Sequence, residues 1–174
     1  ARGETPSGVF RRQYQRGENT YFAMLSAGPK ESLRLQFPDK AYQYDVGGRG
    51  FLGYSDAAEV DLKPAVGAVL ARLPHKVSGL RLEVPPRVQR GGALRWKAVL
   101  ETETGPAGDH VFRVSVQAPD GEKSRDWSGN QVAVKGELHV RWAMAHNERL
   151  GTWTLRLRDS VSGMESQASF VVTE

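Results

Sequence analysis

Hydrophobic residues recur at every second position through most of this chain. In residues 32–37, Leu33, Leu35 and Phe37 alternate with Ser32, Arg34 and Gln36. In residues 93–101, Leu94, Trp96, Ala98 and Leu100 alternate with Arg95, Lys97 and Val99. Residues 152–159 place Trp153, Leu155 and Leu157 on one side and Thr154, Arg156 and Arg158 on the other. A period of two is that of a β-strand with one buried face. The one helix-like run, residues 56–73, is broken by Pro64 and weakened by Gly67, because proline removes a backbone donor and glycine costs conformational entropy.

Taken in order, residues 9–16 and 20–25 form a hairpin about the RGEN turn, followed by strands at 32–37 and 41–46. Val60 and Leu62 face inward from the next strand, and Val66, Ala68 and Leu70 share a face of the last strand in this block. Residues 73–79 read as a short linker. Beyond it, strands at 80–84, 93–101, 110–118, 131–134, 137–146, 152–159 and 167–173 are separated by turn residues such as Pro119-Asp120-Gly121. About seven short strands in about a hundred residues is the pattern of an immunoglobulin-like sandwich. The expected fold is therefore all-β, with two antiparallel β-sandwich domains in tandem: residues 1–76, then residues 77–174 as the immunoglobulin-like one. The chain has no cysteine, so no disulfide joins its sheets, and Trp96, Trp142 and Trp153 are expected to fill the second core.

Gly48, Gly50 and Gly53 match the spacing G-x-G-x-x-G. A dinucleotide site needs a helix directly after such a loop, because the pyrophosphate rests on the helix N-terminus. Here the loop runs into Phe51-Leu52-Gly53-Tyr54, which has strand composition. The glycines are expected to serve a hairpin, where a positive φ or close backbone approach excludes a side chain.

Composition adds bounds. Of 174 residues, 39% are hydrophobic and 25% charged, as in folded proteins, and the formal net charge is +4. So small an excess, spread along the chain, does not point to nucleic acid. No apolar run approaches the roughly 18 residues of a membrane span, so neither nucleic acid nor membrane insertion is expected. The start, ARGETPSG, has no signal-peptide pattern and no initiator Met; the chain reads as either processed or cut from a longer protein, and the ragged, polar start suits a cut.

The segments VFRRQYQRGENTYFAML (9–25), SLRLQF (32–37) and 44–74 are the cues for a resemblance. The first block resembles the antiparallel β-sandwich that follows the catalytic barrel in glycoside hydrolases of the amylase and β-galactosidase type. Residues 110–121, 134–159 and the closing FVV carry another. With them, the second block resembles the immunoglobulin-like or macroglobulin-like accessory domains of large secreted bacterial proteins. The resemblance implies an extracellular or periplasmic location. It also implies a preceding catalytic domain, or another protein, as partner, with carbohydrate as a further ligand. It carries over no catalytic residue, cofactor or metal.

Candidate chemistry is sparse. His75, His110, His139 and His146 are expected at the surface or rim, and HNERL (146–150) lacks the second histidine of a zinc helix. Glu101 with Glu103, and Glu59 with Asp61, are strand neighbours and read as solvated edges rather than as carboxylates flanking a bond across a cleft. Arg141, Arg156 and Arg158 form an outward arginine strip that could meet an acidic partner. Trp127, in the polar loop DWSGN, is not placed by alternation. It could stack on a sugar, cover a domain junction, or plug the bottom of the sandwich, and the plug is favoured. Trp127 and Asn130 are the candidate ligand-binding residues.

The expected function is that of a non-catalytic accessory region of a larger secreted glycoside-hydrolase-like protein. Its role would be domain packing, oligomer contacts or carbohydrate holding. The alternative is a cell-surface adhesion or protein-interaction module with no carbohydrate link. An exposed apolar patch on the first domain would speak for docking. A shallow groove lined by aromatics would speak for glycan binding.

Overall fold

The computed structural model describes residues 8–174. The described residues form thirteen β-strands and no α-helix. The chain divides into two compact units. Among the described residues the first is 8–76 with Glu103–Gly108 and Val161–Gly163; the second is Val77–Thr102, Asp109–Ser160 and Met164–Glu174.

In the first unit, β1 (Val9–Arg16), β2 (Asn19–Ser26), β3 (Glu31–Val46), β4 (Gly50–Leu62) and β5 (Ala68–Leu73) form one antiparallel sheet in the order β1-β2-β5-β3-β4. The sandwich arises because β3 changes partners. Its second half pairs with both β4 and β5, whereas its first half pairs with β4 alone. Between the two halves the register breaks: Gln36 faces Ala57 and Ala41 faces Ser55, leaving residues 37–40 opposite Asp56 alone. Pro38 lies in this break and has no N–H for a ladder. Phe22 and Met24 of β2 and Leu70 of β5 then join Leu35 and Phe37 of β3 and Ala58, Val60 and Leu62 of β4 in one buried cluster. The Phe22 and Phe37 rings lie 5.2 Å apart.

Buried polar side chains hold this break. The Gln43 side chain is buried, and its Nε2 donates to the carbonyls of Ser55 (2.7 Å) and Ala57 (3.2 Å), on either side of Asp56. Arg72 Nη2 donates to the Asp39 carbonyl at 2.6 Å, with its guanidinium 3.9 Å above the Phe37 ring. A sheet that folds on itself loses ladder partners, and buried carbonyls need substitutes.

One expected strand differs. Val66 does not share an inward face with Leu70 but is 54% exposed. It belongs to a tight turn in which Val66 N–H donates to the Lys63 carbonyl and Ala65 has φ 55°. The strand begins at Ala68, and because β5 is central, Leu70, Ala71, Arg72 and Leu73 are all buried. The glycine loop joins β3 to β4 as a hairpin. Gly50 (φ 77°) and Gly53 (φ 128°) use positive φ, while a side chain at Gly48 would strike the Asp45 carboxylate.

The second unit has two sheets: β10 (Gly129–Ala133), β9 (His110–Gln117), β12 (Gly151–Asp159), β13 (Glu165–Thr173) and β7 (Arg87–Gln89) in that order, and β11 (Glu137–Ala143), β8 (Ala93–Thr102) and β6 (Val77–Glu83). This is an immunoglobulin-like sandwich. The extra strand β7 spans three residues, too few for alternation to show, and pairs parallel with β13. Pro85 and Pro86 explain it. Without N–H donors they cannot continue the β6–β8 ladder, so the chain leaves one sheet and joins the other. The core is supplied by the expected positions, among them Leu94, Trp96, Phe112, Val114, Leu155, Leu157 and Phe170.

Replacing Gln43 with Leu keeps the bulk and removes the amide, leaving the Ser55 and Ala57 carbonyls without that donor. Urea unfolding should show a loss of about 2 kcal/mol. An unchanged midpoint would mean that the side chain does not hold the bend.

Candidate functional site

Trp127 lies in the loop between β9 and β10, with Ser128 Oγ accepting a 3.0 Å bond from the Val116 N–H beside it. Its half-buried ring stacks on Trp142 of β11 (5.4 Å, 8°) and packs against Trp153 of β12 (5.1 Å). Trp142 in turn meets Trp96 of β8 edge-on at 5.0 Å, and Trp153 stacks on Phe170 of β13 at 6.3 Å. Five aromatic rings thus run from the three-stranded sheet to the five-stranded one. They link the sheets where many immunoglobulin domains place a disulfide. Trp96 and Trp153 are buried, and Trp142 is half-buried.

Asn130 takes a separate position. It is exposed on β10, directly opposite exposed Arg113 of β9.

A polar clamp lies beside Trp153. Arg149 pairs with Asp120, and with Glu122 at 3.0 Å, while the Arg149 carbonyl accepts from Trp153 Nε1 at 3.0 Å. The Asp120 carboxyl is held below the usual carboxylate range. The backbone N–H of Glu122 is the main cause, and the Arg149 guanidinium adds to it. Arg149 is correspondingly held higher by Glu122 and Asp120.

Two of the four histidines depart from expectation. His139 and His146 are exposed, but His75 and His110 are buried. His110 Nδ1 lies 2.8 Å from Asp159 Oδ1, both side chains being fully buried. His110 opens β9 and Asp159 ends β12, and these strands are paired through Asp159 and Phe112. The imidazole lies inside because a carboxylate there meets its polar edge. Among the described residues no group of three or more His, Asp or Glu could hold a metal ion.

The neighbouring carboxylates have local partners. Ser32 Oγ lies 2.9 Å from Glu59 and 3.0 Å from Asp61. Glu101 lies 3.5 Å from Arg81 and Glu103 2.9 Å from Lys76. The arginine strip is divided: Arg156 and Arg158 lie on β12, but Arg141 lies on β11 in the other sheet.

Two features could not be assembled from alternation alone. On the first unit, Tyr42 and Tyr54 face each other across β3 and β4 at 4.7 Å, with the Phe51 ring 6.4 Å from Tyr42. Tyr54 is 58% and Phe51 44% exposed. On the second unit, a hollow of ≈ 720 Å³ is lined by residues of β6, β8 and β11 and by Val84 and Pro85. The alternation marks Arg95 and Lys97 as outward, but only the β8–β11 register brings Arg141 and His139 beside them.

Trp127→Ala should cost about 2–3 kcal/mol in thermal or urea unfolding, as a half-buried ring packed against Trp142 and Trp153 is removed. Unchanged stability with lost sugar binding would make Trp127 a ligand residue instead. The Asp120–Arg149 contribution should be present above the ordinary carboxylate pKa and fade as pH falls through the lowered one. Arg149→Gln should flatten this acid limb in a Tm–pH series. An identical limb in both proteins would show that the clamp adds no pH-dependent stability.

No family profile matches the chain, and no curated protein matches it. Solved structures do. An α-2-macroglobulin mutant of Salmonella is 15% identical with a TM-score of 0.43, the match covering 96% of this chain and 12% of that one. A superoxide reductase (neelaredoxin) of Ignicoccus hospitalis is 7% identical, TM-score 0.41, covering 56% and 82%. A β-glucosidase of Listeria innocua is 13% identical, TM-score 0.39, covering 56% of this chain and 16% of that one. The chain thus corresponds to a small part of the glucosidase and macroglobulin chains, and the relationship to such proteins is a distant all-β one.

Proposed function

We propose that this chain is a non-catalytic accessory region of a larger secreted bacterial glycoside-hydrolase-like protein, packing against a neighbouring domain and helping to hold carbohydrate. The observation that supports it most is an apolar outer face on the β1–β2 hairpin. Phe10 (66% exposed) faces Leu25 (40%), and Tyr14 (54%) faces Tyr21 across the same pair of strands. Phe10, Tyr14 and Leu25 line a shallow hollow of ≈ 280 Å³. Exposed Arg12 lies between the two aromatic positions on this face, and large exposed apolar side chains on an edge hairpin mark a site to be covered. The occupant proposed is a neighbouring domain of the larger protein; a domain joined covalently to this chain would be held near this face at high effective concentration.

Carbohydrate holding is supported by the Tyr42–Tyr54–Phe51 platform. Its exposed rings offer flat apolar faces with phenolic hydroxyls at the rim, a chemistry suited to sugar rings.

The test is to co-express this chain with the segment encoded immediately upstream of Ala1 and measure association. Phe10→Glu with Leu25→Glu should weaken it at least tenfold while leaving the Tm of the isolated chain within a few degrees, since both side chains are exposed. No association of the unaltered pair would overturn the docking proposal.

A further inference from the structure

We infer that the hollow on the three-stranded sheet of the second unit is a binding site for an acidic polysaccharide. This deepens the carbohydrate-holding part of the proposed function and rests on it.

The hollow is lined by Glu83, Val84, Pro85, Trp96, Val140 and a set of basic residues. Arg95 and Arg141 are directly opposed across β8 and β11. Both are exposed, and neither side chain has a hydrogen bond or ion pair among the described residues. Like charges directly opposite each other on a sheet repel, so two guanidinium forks held there without an anion are a local cost. One rung along, Lys97 faces His139. Two residues of strand separate the rungs by about 6.7 Å. The hollow therefore presents two unpaired guanidinium groups, with Lys97, paired to Glu83, and His139, 3.2 Å from Glu137, on the next rung. The single carboxylate in it, Glu83, is already engaged by Lys97 (3.0 Å) and Arg81 (2.9 Å).

The other sheet provides a contrast. Its outer face also carries arginines around a hollow of ≈ 460 Å³. There Arg156 Nε donates to Gln167 at 2.7 Å and Arg158 lies 3.8 Å from Glu165. Those two arginines have partners within the chain, whereas Arg95 and Arg141 do not; of Arg113, Arg156 and Arg158 on that sheet, only exposed Arg113, directly opposite Arg158, lacks a side-chain partner among the described residues.

Donor chemistry selects a saccharide over an acidic peptide. Arginine and lysine only donate hydrogen bonds, so this surface suits a ligand rich in acceptors. Uronate or sulfate groups accept bidentate bonds from guanidinium forks, and each sugar hydroxyl can accept as well as donate. A peptide laid on the same face would bring backbone N–H groups to a surface whose one carboxylate is occupied. The apolar lining from Val84 and Pro85 offers contact to sugar C–H groups. The volume of ≈ 720 Å³ is that of a pocket for a ligand of drug-like size, enough for a few sugar rings.

Affinity electrophoresis and calorimetry of the whole chain would use polygalacturonate and heparin as acidic probes, dextran as a neutral one and poly-glutamate as an acidic peptide. Polygalacturonate or heparin should bind, more weakly as salt rises. Arg95→Gln with Arg141→Gln should weaken binding at least tenfold with an unchanged or raised Tm. Arg156→Gln with Arg158→Gln, on the other sheet, should retain it. The inference fails if neither acidic polysaccharide binds, or if the two double variants lose binding equally. It also fails if poly-glutamate binds as tightly as the saccharides. Binding of dextran that depends on Tyr54, without any to the acidic probes, would overturn this inference while leaving the broader carbohydrate proposal intact.

Discussion

A sheet can fold over on itself or hand a strand to a neighbouring sheet only where its backbone polar groups find other partners. That constraint shapes both units. In the first, β3 is long enough to serve two layers, and the break between its halves would leave carbonyls without ladder partners. Gln43 and Arg72 supply the missing donors from inside the protein, so the bend and the core it encloses are held by the same side chains. In the second, Pro85 and Pro86 solve the problem by having no donor to lose. The sandwich of the first unit and the strand exchange of the second are both answers to the question of where the hydrogen bonds go.

The aromatic chain of the second unit is the packing counterpart. Trp96, Trp142, Trp127, Trp153 and Phe170 join elements from both sheets and one loop. Each contact is modest, but large rings exclude water over a wide area and hold orientation through their quadrupoles. The Arg149 clamp secures the same end: its carbonyl accepts a hydrogen bond from the Trp153 indole N–H while its guanidinium holds Asp120 and Glu122. An exposed polar network and a buried aromatic one meet at a single residue.

The period-two pattern made the fold class, the hairpin at Gly48–Gly50–Gly53 and most of the second core legible in the sequence. Short or doubly buried elements were not legible. Strand β7 is too brief to alternate, and β5 is buried on both faces, so its polarity pattern carries no face information. The burial of His110 depended on Asp159, forty-nine positions away, and only the β9–β12 pairing brings them together. The arginine strip failed for a related reason, since outward residues on strands of different sheets look alike in sequence. Arg95 and Arg141 were each readable as outward, but their opposition is a property of register, which a single sequence does not encode locally.

The parallel pairing of β7 with β13 has a mechanical consequence. The bonds from Arg90 N–H to the Thr173 carbonyl and from Val171 N–H to the Pro86 carbonyl, each 2.9 Å, tie β7, the second strand of the unit, to its last strand. Tension between the entry and exit of this unit pulls β7 and β13 along their own axes in opposite directions. The bonds linking them then bear the load together in shear, instead of opening one by one as in a zipper. Resistance to such a pull is governed by the unfolding rate rather than by equilibrium stability. The three-residue strand that alternation could not reveal is therefore a shear clamp that tension along the chain reaches through β6.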